Sequence, residues 1–165
     1  MEARIECFPP VARGDARLLI LGTMPSVESL RQSFYYAHPR NAFWPVMAEV
    51  LGAPVPETVE EKRALLTGHR VALWDVARSC VRLGSLDSAM RDVEPNDFDS
   101  LFARCPKIER ILFNGDTARK LYMRLVGRMP EGCDWARMPS TSPAYTLPYA
   151  RKLEAWRAGM EGYYD

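Results

Sequence analysis

The chain has 165 residues, 47% hydrophobic and 26% charged, which suits an ordinary globular protein of one domain (1–165) with a sizeable core. Its net charge of +1 gives no global basic field to advertise nucleic acid binding, although most of the basic residues are arginine, the residue suited to phosphate and base contacts. No apolar run is long enough to cross a membrane, and the charged N-terminus lacks the apolar core of a signal peptide, so a cytoplasmic protein is expected. Cys7, Cys80, Cys105 and Cys133 are scattered with no C-x-x-C pair, which signals neither a zinc nor an iron–sulfur site and leaves free thiols as the expectation.

In chain order, "ARLLILG" (16–22) is a short apolar run ending at glycine, as a buried parallel strand does. "NAFWPVMAEVLG" (41–52) has helical spacing and stops at Gly52. "TVEEKRALLTG" (58–68) is an amphipathic helix with Thr58 as cap and Gly68 as stop. "HRVALWDVA" (69–77) reads as a second strand, followed by an irregular segment. "PNDFDSLFARCP" (95–106) is a short helix capped by Asn96 or Asp97. "IERILFNG" (108–115) is a third strand, and "DTARKLYMRLVG" (116–127) a helix with Asp116 at its N-terminus. "DWARMPS" (134–140) is a fourth strand, and "LPYARKLEAWRAGMEG" (147–162) closes the chain as a helix.

Strands alternating with helices predict an α/β fold, a three-layer α/β/α sandwich around a mostly parallel four-stranded sheet. Ligands in such sheets bind beyond the carboxyl ends of the strands. The segments expected there are "GTMPS", "WDVA", "FNGD" and "PSTSPA".

Three stretches carry chemistry. "LGTMPS" (21–26) leads a strand into a Gly/Pro turn but lacks the spacing of a phosphate loop or a dinucleotide fingerprint. "YYAHPRNAFW" (35–44) packs aromatic rings, a histidine, an arginine and an asparagine into ten positions. "MPSTSPAY" (138–145) interleaves hydroxyls with prolines in a stiff loop suited to a phosphodiester backbone. Together, "GTMPS", "HPRNAFW" and "PSTSPA" resemble the uracil-DNA glycosylase superfamily, in particular its hypoxanthine-DNA glycosylase (DNA-deoxyinosine glycosylase) branch. The resemblance runs from about residue 17 to the closing helix.

The resemblance implies excision of a deaminated base, leaving an abasic site, without metal or cofactor. The partner it implies is single- or double-stranded DNA carrying a damaged base, met by a monomer. Related branches carry Asp or Asn where this chain has Met24, and His or Asn where it has Met138. Thioethers neither orient nor deprotonate water, so the resemblance moves catalysis to Asn41, which is otherwise a helix cap. The expected base contacts are Gly22, Thr23, Met24 and Pro25 of the first motif, and the expected DNA contacts Ser26, Arg40, Ser140, Thr141, Ser142 and Pro143, with His38 either a contact to phosphate or base or a structural histidine.

A base taken out of a duplex loses its stacking partners, and aromatic rings return roughly 1–3 kcal/mol per base. Phe34, Tyr36, Phe43 and Trp44 are the candidates, with about two of them expected at the pocket. Asp75, at the end of the second strand, is either a turn cap or a base reader. As a reader it accepts the N1–H of hypoxanthine and repels the bare N1 of adenine, with Asn114 either the matching donor or simply the close of the third strand. Uracil presents the same N–H beside a carbonyl, so hypoxanthine and uracil both fit this logic.

No lysine stands in a recognisable Schiff-base position, which predicts a monofunctional glycosylase. The alternative is a catalytically silent damaged-DNA binding module, suggested by Met24 and Met138. A serine hydrolase using Ser26 or Ser140 lacks a G-x-S-x-G elbow and ranks last.

Overall fold

The computed structural model describes residues 3–164. Its first half contains β1 (Arg4–Glu6), β2 (Leu18–Gly22), α1 (Val27–Gln32), α2 (Phe43–Leu51), α3 (Val59–Thr67), β3 (Val71–Asp75) and β4 (Ala77–Val81). A 3₁₀ turn (Asp87–Ala89) follows, then β5 (Arg91–Pro95), α4 (Phe98–Arg104), β6 (Arg110–Asn114), α5 (Asp116–Leu125), β7 (Asp134–Met138) and α6 (Tyr149–Met160).

The central sheet has the order β3-β2-β6-β7 and every pairing in it is parallel. All five residues of β2 and of β3 are buried, the signature of strands covered on both faces. Neighbouring β6 residues show the two covers, because side chains alternate across a strand. Leu112 lies under Gly159 of α6, whereas the Phe113 ring packs on Tyr122 of α5 at 5.4 Å. On the α6 side, α2 lies between α3 and α6, and the Phe43 and Trp156 rings meet edge to face at 6.2 Å. This is the expected three-layer sandwich.

The register brings the strand ends level. Gly22 pairs with Asp75, and Asn114 with Met138. The carboxyl edge of the sheet is therefore one row of residues from the motifs read in the sequence.

Two features depart from the sequence reading. The segment after residue 77, expected to be irregular, supplies β4 and β5, which join β1 in an antiparallel sheet of order β1-β4-β5. These strands escape a hydrophobicity reading because one face is solvated and held by charge. Arg78 pairs with Glu94 across β4 and β5, and Arg4 approaches Glu94 at 3.7 Å. The turn after "GTMPS" also opens a short helix, α1, whose N-cap is Ser26, its hydroxyl accepting the Ser29 N–H at 3.1 Å.

Caps elsewhere follow local chemistry. Thr58 and Glu61 form the reciprocal capping box of α3. Asp97, not Asn96, caps α4 by accepting the Ser100 N–H at 3.1 Å. Asn96 is buried, and its amide donates to the Asp75 carbonyl at 2.7 Å, fixing the end of β3.

Candidate functional site

A cavity of about 720 Å³ opens at the carboxyl edge of the central sheet. Its walls come from Gly22–Ser26 after β2, Asp75 after β3, Asn114–Thr117 after β6 and Arg137–Ser142 after β7. Tyr35, Tyr36 and Asn41 close one side, and Ser85, Leu86 and Asp87 another. No helix among the described residues is long and apolar enough to cross a membrane, and no cluster of His, Cys, Asp or Glu among them could hold a metal ion.

The floor is set by Gly22. A Cβ built there would lie 2.6 Å from Asp75 Oδ1 and 2.6 Å from the Tyr36 hydroxyl, so only glycine lets both polar groups close on the strand end. Tyr36 holds its place with a left-handed backbone, φ 53°, a conformation that costs a bulky residue on the order of 1–3 kcal/mol. Asp75 is 3% exposed, and its Oδ2 has no hydrogen-bond partner. Burial pushes its carboxyl up to about 7; the charge of Asp87 adds to the rise and Arg82 opposes it. The buried Tyr36 hydroxyl also lacks a regular hydrogen-bond partner. Burial and then the neighbouring Asp75 raise its pKa well above the usual tyrosine range, and Asn114 lies near enough to soften that rise.

Asp87 and Arg82 are the residues that sequence reasoning missed. Both lie in the stretch between β4 and β5, where no apolar periodicity marks them. Thr23 donates its hydroxyl to Asp87 Oδ1 at 2.8 Å, which ties the 3₁₀ turn to the first motif. Burial raises the Asp87 pKa, against the Thr23 hydrogen bond and Arg82. Arg82 is 6% exposed and bonds to the carbonyls of Gly84, at 2.7 Å, and Pro25, while its Nη1 has no partner. The three buried side-chain N or O atoms without partners among the described residues thus belong to Tyr36, Asp75 and Arg82. One signal was available: acidic and basic side chains in an uncharacterised segment following the second strand.

The second motif is pinned from behind. Lys152 donates to the Ser142 carbonyl at 3.0 Å, and the Trp156 indole to the Pro139 carbonyl at 3.0 Å. The Thr141 side chain is fully buried and its hydroxyl accepts from Asn114, so it holds the loop and is not placed to reach a phosphate. Ser140 and Ser142 line the cavity; their hydroxyls accept from the backbone N–H groups of Ser142 and Ala144 at 3.2 Å each. Met24 and Met138 also line the cavity, and Met138 leans on Gly159.

Asn41 lines the cavity just ahead of α2, whose N-cap position is Ala42. Its Oδ1 accepts the Phe43 N–H at 2.9 Å, and its own N–H bonds to the His38 carbonyl at 2.9 Å, so the amide is held in one place. His38 and Arg40 form the turn before it, with the Arg40 N–H on His38 Nδ1 at 3.1 Å; neither lines the cavity, and Pro143 is likewise outside it.

Of the aromatic candidates, only Tyr36 lines the cavity, joined by Tyr35. Phe43 lies behind Tyr36, ring on ring at 4.2 Å, and Phe34 stacks on Trp44 at 6.1 Å within the core. The expectation of Phe34 and Phe43 as base contacts is therefore corrected: both are buried supports, Phe43 because α2 turns its apolar face inward and Phe34 because it packs on Trp44 and Tyr35.

This geometry meets known proteins over most of its length. The model of the uracil DNA glycosylase superfamily matches residues 9–159. A curated protein named hypoxanthine DNA glycosylase, from Methanosarcina acetivorans, is 36% identical over 152 residues, covering 92% of this chain and 94% of its own. Another of that name, from Methanosarcina barkeri, is 35% identical over 109 residues, 66% of this chain and 69% of its own. A solution NMR structure from Methanosarcina acetivorans, described as a candidate uracil DNA glycosylase, superposes with a TM-score of 0.80 at 34% identity, covering 94% of this chain and 96% of that one. The chain belongs to the uracil DNA glycosylase superfamily, whose enzymes hydrolyse the N-glycosidic bonds of DNA.

Proposed function

We propose that this protein is a monofunctional DNA glycosylase that flips a deaminated base, hypoxanthine first and uracil as a further substrate, out of DNA and leaves an abasic site. The observation that carries the reading is the unpartnered carboxylate oxygen of Asp75 on the cavity floor, in a chain whose relatives are named for hypoxanthine. A buried acceptor without a partner is costly unless a ligand N–H meets it, and the N1–H of hypoxanthine does so where adenine presents a bare lone pair.

In the reaction, the glycosidic bond, C1′–N9 for hypoxanthine and C1′–N1 for uracil, breaks with its electrons moving to the base, and a water oxygen adds to C1′. Asn41 holds that water through the lone pair of Oδ1 that Phe43 does not use. An amide is too weak a base to keep the water's proton, which passes to the departing base or to solvent. The cation-like sugar is stabilised by the phosphates of the substrate itself, so a strong protein base is not required. Tyr36 walls the flipped base, with the backbone from Gly22 to Pro25 beside it. Ser26, Ser140, Ser142 and Arg137 at the cavity, with His38, Arg40 and Pro143 beside it, face the DNA backbone as a monomer docks. Among the described residues the cavity lining carries no lysine, and we assign hydrolysis rather than Schiff-base strand cleavage.

The test is single-turnover incubation of the protein with duplexes carrying inosine, uracil or xanthine, followed by alkaline cleavage at abasic sites. Cleavage at inosine supports the reading. Tight binding of every duplex without base release would instead make the protein a damaged-DNA binding module.

A further inference from the structure

Asn114, the donor expected to complement Asp75, is held on the second motif, and the Nδ2–H it has left over lies near the Tyr36 hydroxyl. The Asn114 Nδ2 donates to the Thr141 hydroxyl at 3.0 Å and its Oδ1 accepts the Thr141 N–H at 3.0 Å. The group that does stand beside Asp75 is the Tyr36 hydroxyl. Both meet the Cα face of Gly22, each 2.6 Å from the position a Cβ would take, and both carry buried atoms with no partner.

We infer that the Tyr36 hydroxyl and the Asp75 carboxylate form a donor–acceptor pair that reads the lactam edge of the flipped base, with Tyr36 donating to O6 and Asp75 accepting N1–H. The inference rests on the glycosylase reading above and adds to it a specificity-determining residue and a substrate class.

The chemistry is general to deamination. An amino-bearing base presents a ring nitrogen acceptor beside an N–H donor. Deamination replaces this with a ring N–H donor beside a carbonyl acceptor. One acceptor next to one donor matches the second edge, and meets the first with acceptor against acceptor and donor against donor. Buried polar sites of this kind reject the mismatched partner strongly, because their own groups are then left unpaired. Hypoxanthine, xanthine and uracil all carry the lactam edge. Guanine carries it as well, so its exclusion has to come from its 2-amino group and not from this pair.

Two further observations fix Tyr36 in this role. Its ring is backed by Phe43 at 4.2 Å, so the hydroxyl cannot swing away, and its left-handed backbone is what brings the side chain to Gly22. The raised pKa of the hydroxyl keeps it protonated, as a donor must be.

The test pairs Tyr36→Phe, which deletes the hydroxyl and keeps the ring, with a substrate that deletes the acceptor. Single-turnover rates are measured for duplexes with inosine and with 6-thioinosine, whose sulfur is a poor acceptor but whose N1–H is intact. Sulfur also alters the leaving group, so the informative quantity is the inosine to thioinosine ratio in the variant relative to wild type. We expect inosine excision to fall by about tenfold or more in Tyr36→Phe, with the ratio falling by a similar factor as thioinosine excision changes little. An unchanged ratio overturns the inference, whatever the absolute rates. The same comparison with uracil and 4-thiouracil, which present the corresponding edge, is a second readout with the same expected and overturning results. A wild-type protein that releases neither inosine nor uracil would reject the glycosylase reading itself, and this inference with it.

Discussion

Asn114 and Thr141 grip each other at both ends of one amide: Nδ2 donates to Oγ1 and Oδ1 accepts the Thr141 N–H, each at 3.0 Å. The pair joins the end of β6 to the second motif, and the Thr141 carbonyl in turn accepts the Ala42 N–H at 3.0 Å, at the start of α2. One clamp thus sets the distance between the second motif and Asn41. Thr141→Val keeps the volume and removes the hydroxyl, leaving a half-buried Asn114 amide N–H unmet. The expected cost is about 1–3 kcal/mol in denaturant unfolding, with a slower base release from a displaced Asn41. The salt dependence of DNA affinity should not change, because the buried Thr141 side chain makes no phosphate contact in this arrangement.

Asn41→Ala is expected to reduce single-turnover base release by about 10²-fold or more while DNA affinity stays near that of wild type. The variant also loses the Asn41 Oδ1 to Phe43 N–H bond ahead of α2, so its unfolding midpoint has to be measured alongside. A near-normal rate in a folded variant would remove Asn41 from the chemistry.

Affinity for DNA is expected to fall as salt rises, because the proposed docking sets Arg137, whose 60% exposed side chain lies at the cavity rim, and the first and second motifs against the backbone. Arg137→Ala should lower affinity for damaged and undamaged duplexes alike and make the salt slope shallower by about one phosphate contact. Binding that ignores salt would separate this surface from DNA.

The parallel sheet and its carboxyl edge were legible in the sequence because buried strands are apolar runs, and "LLILG", "VALWD" and "RILFN" each end on a residue of the cavity. Asp75 and Asn114 were legible as polar residues at those edges, and Asn41 through the resemblance of "HPRNAFW" to its family motif. The antiparallel sheet was not, because Arg78, Glu94 and Arg4 hold it by charge and leave no alternating apolar signal. Asp87 and Arg82 were lost with it. The aromatic run was ambiguous for a different reason: sequence cannot tell a ring that faces a ligand from one that supports it. Tyr36 and Phe43 are stacked partners, and only the first lines the cavity.

Gly22→Ala is expected to abolish most inosine excision. Its Cβ would fall 2.6 Å from both Asp75 Oδ1 and the Tyr36 hydroxyl, so at least one of the two must retreat. Overpacking of this kind costs about 1–3 kcal/mol of stability, measurable by denaturant unfolding. Wild-type excision by the folded variant would show that neither group needs its observed position.

Asp75→Asn separates stability from recognition. Because burial holds the folded-state carboxyl at about 7 against the ordinary 3.8, ionisation of Asp75 opposes folding. Its penalty is absent below the ordinary value, grows as pH rises toward the folded value, and is fully present above it. The asparagine variant cannot ionise, so its stability relative to wild type should rise between about pH 4 and pH 7 and then level off, at a gain of about a few kcal/mol. Asp116 and Asp134, both lowered by partners remote from Asp75, titrate in both proteins and cancel in the difference, whereas Asp87 is coupled to Asp75 and its repulsion is part of the penalty that the variant removes. Recognition should move the opposite way. An amide can turn its donor toward adenine N1, so the inosine to adenine rate ratio should fall at neutral pH in the variant. Wild type should approach the same loss of discrimination as pH drops below about 7, because a protonated Asp75 also offers a donor to N1. Unfolding curves from about pH 4 to about pH 8 and single-turnover rates from about pH 6 to about pH 8, roughly one unit either side of that titration, check the two halves. A more stable variant with unaltered discrimination would leave Asp75 a buried structural carboxyl and shift base reading to Tyr36 and the first-motif backbone.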